Sequence, residues 1–210
     1  QWPGNGDPFY GEARILAPFF DANGDGFYDV SSGTEYPVLD AGRAAVDNKP
    51  ADQPDQMIYF VYNDKGNIHK ETNGIPIGLE LQTTAFAFAT NDEINNMTFY
   101  KTKVTNRSFD EVRNCYFGQW VDADLGNYSD DYVGCDTTRN LGYCYNGDDN
   151  DEGILGYGSN PPSVGTTFFE GPRDSAGNEI GLSKFVYYNN DWSVTGNPQA
   201  AEHYYNYLRG

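Results

Sequence analysis

Positive charge is what this 210-residue chain has least of: 13 Lys and Arg stand against 31 Asp and Glu, a formal net charge of −18. A surface so charged is repelled by nucleic acid and by anionic membranes, so neither is an expected partner. Long hydrophobic runs are also missing, and no stretch approaches the roughly 18 apolar residues that a membrane-spanning helix needs. Imidazoles are limited to His69 and His203. Neither lies in a metalloprotease or triad pattern, and packing or surface placement is their expected role. No glycine-rich loop follows a strand and opens a helix, which removes nucleotide binding. With only three cysteines, Cys115, Cys135 and Cys144, there is no disulfide framework, although a Cys135–Cys144 bridge across a tight β-connection is sterically open. Aromatics are not scarce. The 17 Tyr, 13 Phe and 3 Trp exclude the disorder that an acidic composition otherwise suggests.

The most informative local pattern is Asp21-Ala-Asn-Gly-Asp-Gly-Phe-Tyr-Asp29. Asp21, Asn23 and Asp25 alternate, Gly26 allows the sharp turn, the Phe27 carbonyl is in place, and Asp29 adds a further oxygen. This is most of a calcium loop, in which short oxygen side chains close around a hard cation. The bidentate acid of the twelfth position is absent because Ser32 stands there, and Glu35 is the nearest substitute. No helix pair flanks the loop, so a structural Ca2+ site is expected rather than a switch that opens on binding. A second acidic segment carries Asp122, Asp124, Asp130, Asp131 and Asp136 with Arg139 as the one nearby cation. Acids this dense either fan into water or converge on an ion, and a second calcium site is expected here. A third run, Asn146-Gly-Asp-Asp-Asn-Asp-Glu152, reads by default as a solvated acidic loop, with a metal site as its alternative.

Strand signals dominate the organisation. Residues 1–55 are turn-rich and read as an irregular arm organised by the calcium loop, and 56–210 as a β-rich domain. Gln56–Tyr62 is dense in β-branched and aromatic residues. The 77–89 stretch changes alternation phase, which predicts a bulge near Thr83-Thr84. Met97–Thr105 alternates, and 113–121, 131–135, 141–145, 164–169 and 185–188 are further candidates. The fold expected is mainly β: an antiparallel sandwich-like domain with long calcium-binding loops. Asn197-Pro198 predicts the start of a short C-terminal helix through Leu208. The opening Gln1-Trp2-Pro3 and the stop just after Leu208 suggest a processed chain or a piece of a longer polypeptide.

The run Phe117-Gly-Gln-Trp-Val-Asp-Ala-Asp-Leu-Gly-Asn-Tyr-Ser-Asp-Asp-Tyr-Val-Gly-Cys-Asp-Thr-Thr-Arg-Asn-Leu-Gly-Tyr-Cys-Tyr-Asn-Gly-Asp148 resembles a segment of large, mostly uncharacterised secreted proteins of Bacteroidota. So do Asp21-Ala-Asn-Gly-Asp-Gly with Tyr36-Pro37-Val38, and the ending Tyr204-Tyr-Asn-Tyr-Leu-Arg-Gly210. The resemblance implies export through the type IX secretion system and residence outside the cell or on its outer surface. It also implies that the chain continues past Leu208-Arg209-Gly210. Asp136-Thr137-Thr138 and Asp174-Ser175-Ala176 resemble the O-glycosylation acceptor pattern of that phylum, with Thr137 and Ser175 as acceptors. The function expected is a calcium-stabilised structural or adhesive module that meets other surface or secretion-system proteins. The alternatives are a carbohydrate-binding module that contacts glycans and a secretion-system cargo or surface-filament subunit. Enzymatic activity is not expected; the catalytic readings left are a metal-assisted hydrolase and a glycosidase with paired carboxylates.

Overall fold

The computed structural model describes residues 2–39, 53–189 and 196–210. Among these described residues the chain is mainly β, built from antiparallel sheets with one short C-terminal helix, consistent with the sandwich-like β class expected. It divides into two compact units, 1–68 with 76–112, and 69–75 with 113–210. The arm read from the sequence lies in the first unit beside the sheet that follows it; residues 40–52 of that arm are outside the described residues.

In the first unit, β1 (Phe19–Phe20) and β2 (Tyr36–Pro37) form a short antiparallel ladder, with Phe20 opposite Tyr36 and their rings stacked at 5.0 Å. Ala17, Phe19 and Tyr28 are buried around it. Asn5 holds Tyr28 by both ends of its amide, accepting the Tyr28 N–H at 2.7 Å and donating to the Tyr28 carbonyl at 2.8 Å. The same unit holds β3 (Gln56–Asn63), β4 (Leu79–Ala87) and β5 (Phe99–Asn106), with β4 in the centre. The Asp64 carboxylate closes the β3–β4 connection by accepting the N–H groups of Ile77, Gly78 and Leu79. Burial alone would raise its pKa, but those three donors hold it below the usual carboxylate range.

The bulge expected near Thr83-Thr84 is absent. The ladder runs without interruption from Leu79↔Asn106 to Phe86↔Phe99. The phase change has another cause: β4 is buried or half-buried along its whole length, with Thr83 and Thr84 buried on opposite faces, so apolar residues fall on both parities. Thr83 meets Thr102 hydroxyl to hydroxyl at 3.0 Å on one face, while Phe86 stacks on Phe99 at 5.3 Å on the other.

In the second unit, β7 (Leu141–Asn146) lies between β6 (Asp131–Asp136) and β10 (Ser163–Thr167), and β8 (Asn150–Asp151) pairs with β9 (Gly158–Ser159). The strands expected at 113–121 and 185–188 do not form. These aromatic segments pack by side chains instead of laddering. Tyr116 meets Tyr205 of α1 (Ala201–Arg209) edge to face at 5.5 Å, Leu208 lies against Gly118, and Tyr188 meets Tyr207 at 5.5 Å. Helix α1 starts later than Asn197-Pro198, with Ala200 as its cap residue and no side-chain cap bond. His203 reaches back, and its Nδ1 accepts the Gln199 N–H at 3.1 Å. The Cys135–Cys144 bridge is not formed and all three cysteines are free. The register explains this: Cys135 faces Gly142 and Cys144 faces Val133, so the two sulfurs lie on a diagonal rather than opposite. Among the described residues, no helix is long and apolar enough to cross a membrane.

Candidate metal centre

The calcium-like loop is held open by its own Asx turns. Asp21, at its first position, accepts the Gly24 and Gly26 N–H groups, one on each carboxylate oxygen, both at 2.7 Å. Asn23 Oδ1 accepts the Asp25 N–H at 2.9 Å, and Asp25 Oδ1 accepts the Phe27 N–H at 2.7 Å. Gly24 and Gly26 sit at φ of 76° and 71°, a left-handed conformation that glycine enters without a Cβ penalty. Each carboxylate oxygen has two lone pairs, so one N–H apiece leaves acceptor capacity in the loop.

Asp29 does something different. It caps the single 3-10 turn Val30–Ser32, accepting the Ser31 N–H at 2.8 Å and the Ser31 hydroxyl at 2.7 Å. Those bonds, the hydroxyl first, pull its carboxyl below the usual range. The turn ends at Gly33 in the left-handed conformation, and the chain returns to β2. These added residues explain why Ser32 cannot close the loop. The ladder ends at Phe20 opposite Tyr36, and Glu35, the residue before β2, reaches the end of the loop by accepting the N–H of Asp29.

Glu35 is only 7% exposed. Its Oε2 accepts the Asp29 N–H at 2.7 Å, while its Oε1 is buried with no hydrogen-bond partner. Its charge, after burial itself, raises the Tyr28 phenol pKa. A buried, half-satisfied carboxylate costs stability unless something positive meets it.

The second expected set divides. Asp131 is coupled to Asp130, Asp151 and Asp124, and its pKa is raised, first by burial and then by those three charges. Asp131 Oδ2 accepts the Leu125 N–H at 3.1 Å and Asp130 Oδ2 accepts from the Asn146 amide at 3.0 Å. The other oxygen of each, Oδ1, is buried without a partner. Asp136 stands apart at the far end of β6. It accepts from Thr138 Oγ1 at 2.6 Å and pairs with Arg139, and these two contacts lower its pKa to about 2. Asp122 is exposed and is not among the charges acting on Asp131.

Asp151 is the residue that sequence reasoning missed. The third acidic run reads as solvated, yet Asp151 is 2% exposed and accepts the Asn127 N–H at 3.1 Å and the Tyr157 N–H at 2.8 Å. Nothing in Asp148-Asp-Asn-Asp-Glu152 distinguishes it from its neighbours, since only the β8–β9 pairing turns it inward. Among the described residues, no three His, Cys, Asp or Glu side chains converge to metal-holding distance as they stand. The first loop's donor set, however, includes an amide and a backbone carbonyl as well as carboxylates. Compared with protein-family models, curated proteins and solved structures, the chain matches none.

Proposed function

We propose that this chain is a calcium-stabilised, β-rich module of an exported cell-surface or extracellular protein, with a structural or adhesive role. The observation that carries the reading is the buried, unpartnered Oε1 of Glu35, whose other oxygen accepts the N–H of Asp29, the last residue of the loop. Asp21, Asn23, Asp25, the Phe27 carbonyl and Glu35 are the donors that would hold the ion. All are hard oxygens, the ligand type Ca2+ selects. Asp29 joins them through its Oδ2, because both of its bonds to Ser31 fall on Oδ1, and its N–H anchors Glu35. Asp124, Asp130, Asp131 and Asp151 are the candidate donors of a second ion; Asp122 and Asp136 drop out of that set.

The physical role of the ion is neutralisation. A chain at −18 is destabilised by self-repulsion for every acid brought inside, and a divalent cation removes that cost at the points where carboxylates are buried. The exposed aromatics, Phe60, Tyr62 and Tyr100 among them, leave surface for contacts with other proteins outside the cell. Thermal melts with calcium and with a chelator test the reading. Calcium at a hundred times its Kd adds about 2.7 kcal/mol to the folded state. That shifts the midpoint upward by about 2–4 °C per kcal/mol in a chain of this size. Equal midpoints in both buffers would end the proposal.

A further inference from the structure

One face of the β6–β7–β10 sheet has a composition that neither the calcium reading nor core packing explains. The register stacks three rows across it: Tyr132–Tyr145–Ser163, Gly134–Tyr143–Gly165 and Asp136–Leu141–Thr167. A tyrosine occupies the central strand in two successive rows, and in the second it is flanked by glycine on both sides. The glycines have a consequence for the rings. A Cβ at Gly134 would stand 2.4–2.6 Å from Cζ, Oη and Cε2 of Tyr143, so that ring lies down across β6 where a side chain would otherwise stand. A Cβ at Gly147 would meet Cε2 of Tyr132 at 2.6 Å, so the second ring lies flat in the same way. Tyr145 stands tilted beside them, its ring plane at 42° to Tyr143 and 33° to Tyr132, with centroids 5.8 Å and 6.1 Å away. The three side chains remain 60%, 37% and 41% exposed at Tyr132, Tyr143 and Tyr145. Rings laid flat on a sheet turn their π-faces to solvent, which is an unfavourable arrangement for core aromatics and a useful one for a ligand.

We propose that this face binds a neutral polysaccharide, whose sugar rings stack on Tyr143, Tyr145 and Tyr132. The π-face carries partial negative charge and attracts the weakly positive C–H faces of a pyranose, while phenol groups and the Ser163 hydroxyl meet the sugar hydroxyls at the rim. Leu141, Tyr143, Tyr145 and the β10 edge from Ser163 to Gly165 line an open depression of about 580 Å3. That volume lies within the range of roughly 300–1,000 Å3 typical of small-ligand sites, and suits a short stretch of glycan better than a folded partner. The rows contain no Lys or Arg, and their one acid, Asp136, is occupied by Thr138 and Arg139. An anionic glycan therefore finds no counter-charge on a strongly acidic chain, and a second copy of the chain is repelled by the same −18.

The test uses the full chain with calcium present, in affinity electrophoresis and calorimetry against a soluble β-glucan, a mannan and a xylan, with alginate as the anionic control. Retention by at least one neutral polysaccharide is expected. Tyr143→Ala or Tyr145→Ala weakens it about tenfold with an unchanged far-ultraviolet spectrum, and Tyr143→Phe, which keeps the ring, stays within about twofold of the parent. A measurement on the unaltered chain guards against misfolded variants: the bound polysaccharide protects Tyr143 and Tyr145 from nitration, mapped by mass spectrometry. Any one of four results overturns the proposal: no neutral polysaccharide is retained, alginate alone binds, nitration is unchanged by ligand, or the face mediates a dimer that Tyr143→Ala dissolves.

Discussion

At Glu35, one carboxylate oxygen accepts the Asp29 N–H and the other is buried without a partner, so the two halves of one group have opposite effects on stability. Replacing it with Gln keeps the first contact and removes the charge. Glu35→Gln is expected to abolish most of the calcium-induced rise in melting midpoint while leaving the chelated protein equal or slightly more stable; an unaltered calcium response, read by calorimetry, would remove Glu35 from the site. Asp131 gives a second residue-level expectation. Burial, with the charges of Asp130, Asp151 and Asp124, raises its pKa in the fold, so the folded state holds this proton to higher pH than the unfolded chain. Its contribution to stability is present at low pH and lost as pH rises through that raised pKa, leaving a net cost at neutral pH. Asp131→Asn in chelator at pH 7 should therefore raise the midpoint by about 2–4 °C for each kcal/mol relieved, and the gain should vanish in acid. A gain of equal size at both pH values would show that charge is not its cause. The acids of the first loop were recognisable in the sequence because alternate spacing and Gly26 are local features. Asp151 was not, because its burial depends on a strand pairing that its own neighbours do not encode.

At the scale of elements, the ladders decide what the local patterns leave open. Gly4 shows how tightly the N-terminal loop is drawn onto Tyr28. A Cβ there would stand 2.6–2.8 Å from Cβ, Cγ and Cδ1 of Tyr28, whose backbone is clamped by Asn5. Gly4→Ala is expected to cost about 1–3 kcal/mol, read as a lower urea midpoint; a neutral result would mean the loop retreats freely. The cysteines give an element-scale test of register. With Cys135 and Cys144 diagonal and all three thiols free, a denatured sample without reductant should titrate three thiols, and reductant should leave the melting midpoint unchanged. In the native protein Cys115 should react first and Cys144 last, because Cys144 is buried and its thiol pKa is raised by burial and by Asp131. Fewer than three thiols, or fast labelling of Cys144, contradicts the register. The β3, β6 and β7 strands were legible because β-branched and aromatic residues are dense there. The 113–121 and 185–188 segments carry the same residue types and still form no ladder, since side-chain packing beside α1 uses them instead.

For the whole molecule, the excess of negative charge sets the conditions under which the fold is stable. At −18, screening and neutralisation should stabilise by separable routes. Sodium chloride shortens the Debye length from about 30 Å at 0.01 M to about 10 Å at 0.1 M and should raise the midpoint gradually. Millimolar calcium should raise it further at equal ionic strength, because site binding adds to screening. If calcium and sodium act alike at matched ionic strength, the carboxylates are merely screened and the bound-ion reading fails. Thr137 and Ser175 both stand exposed, in the β6–β7 connection and in the Asp174–Asn178 turn.

The class of the fold, the first acidic loop and the excess of negative charge are all written in the order of the residues, because alternation, turn residues and ionisation are properties of short stretches. Which acids become neighbours, why Glu35 and not Ser32 reaches the loop, and how two tyrosine rings come to lie over glycines with a third tilted beside them emerge only when the strands pair. Each of those depends on strand register, and register is a relation between segments distant in the chain that no single segment carries.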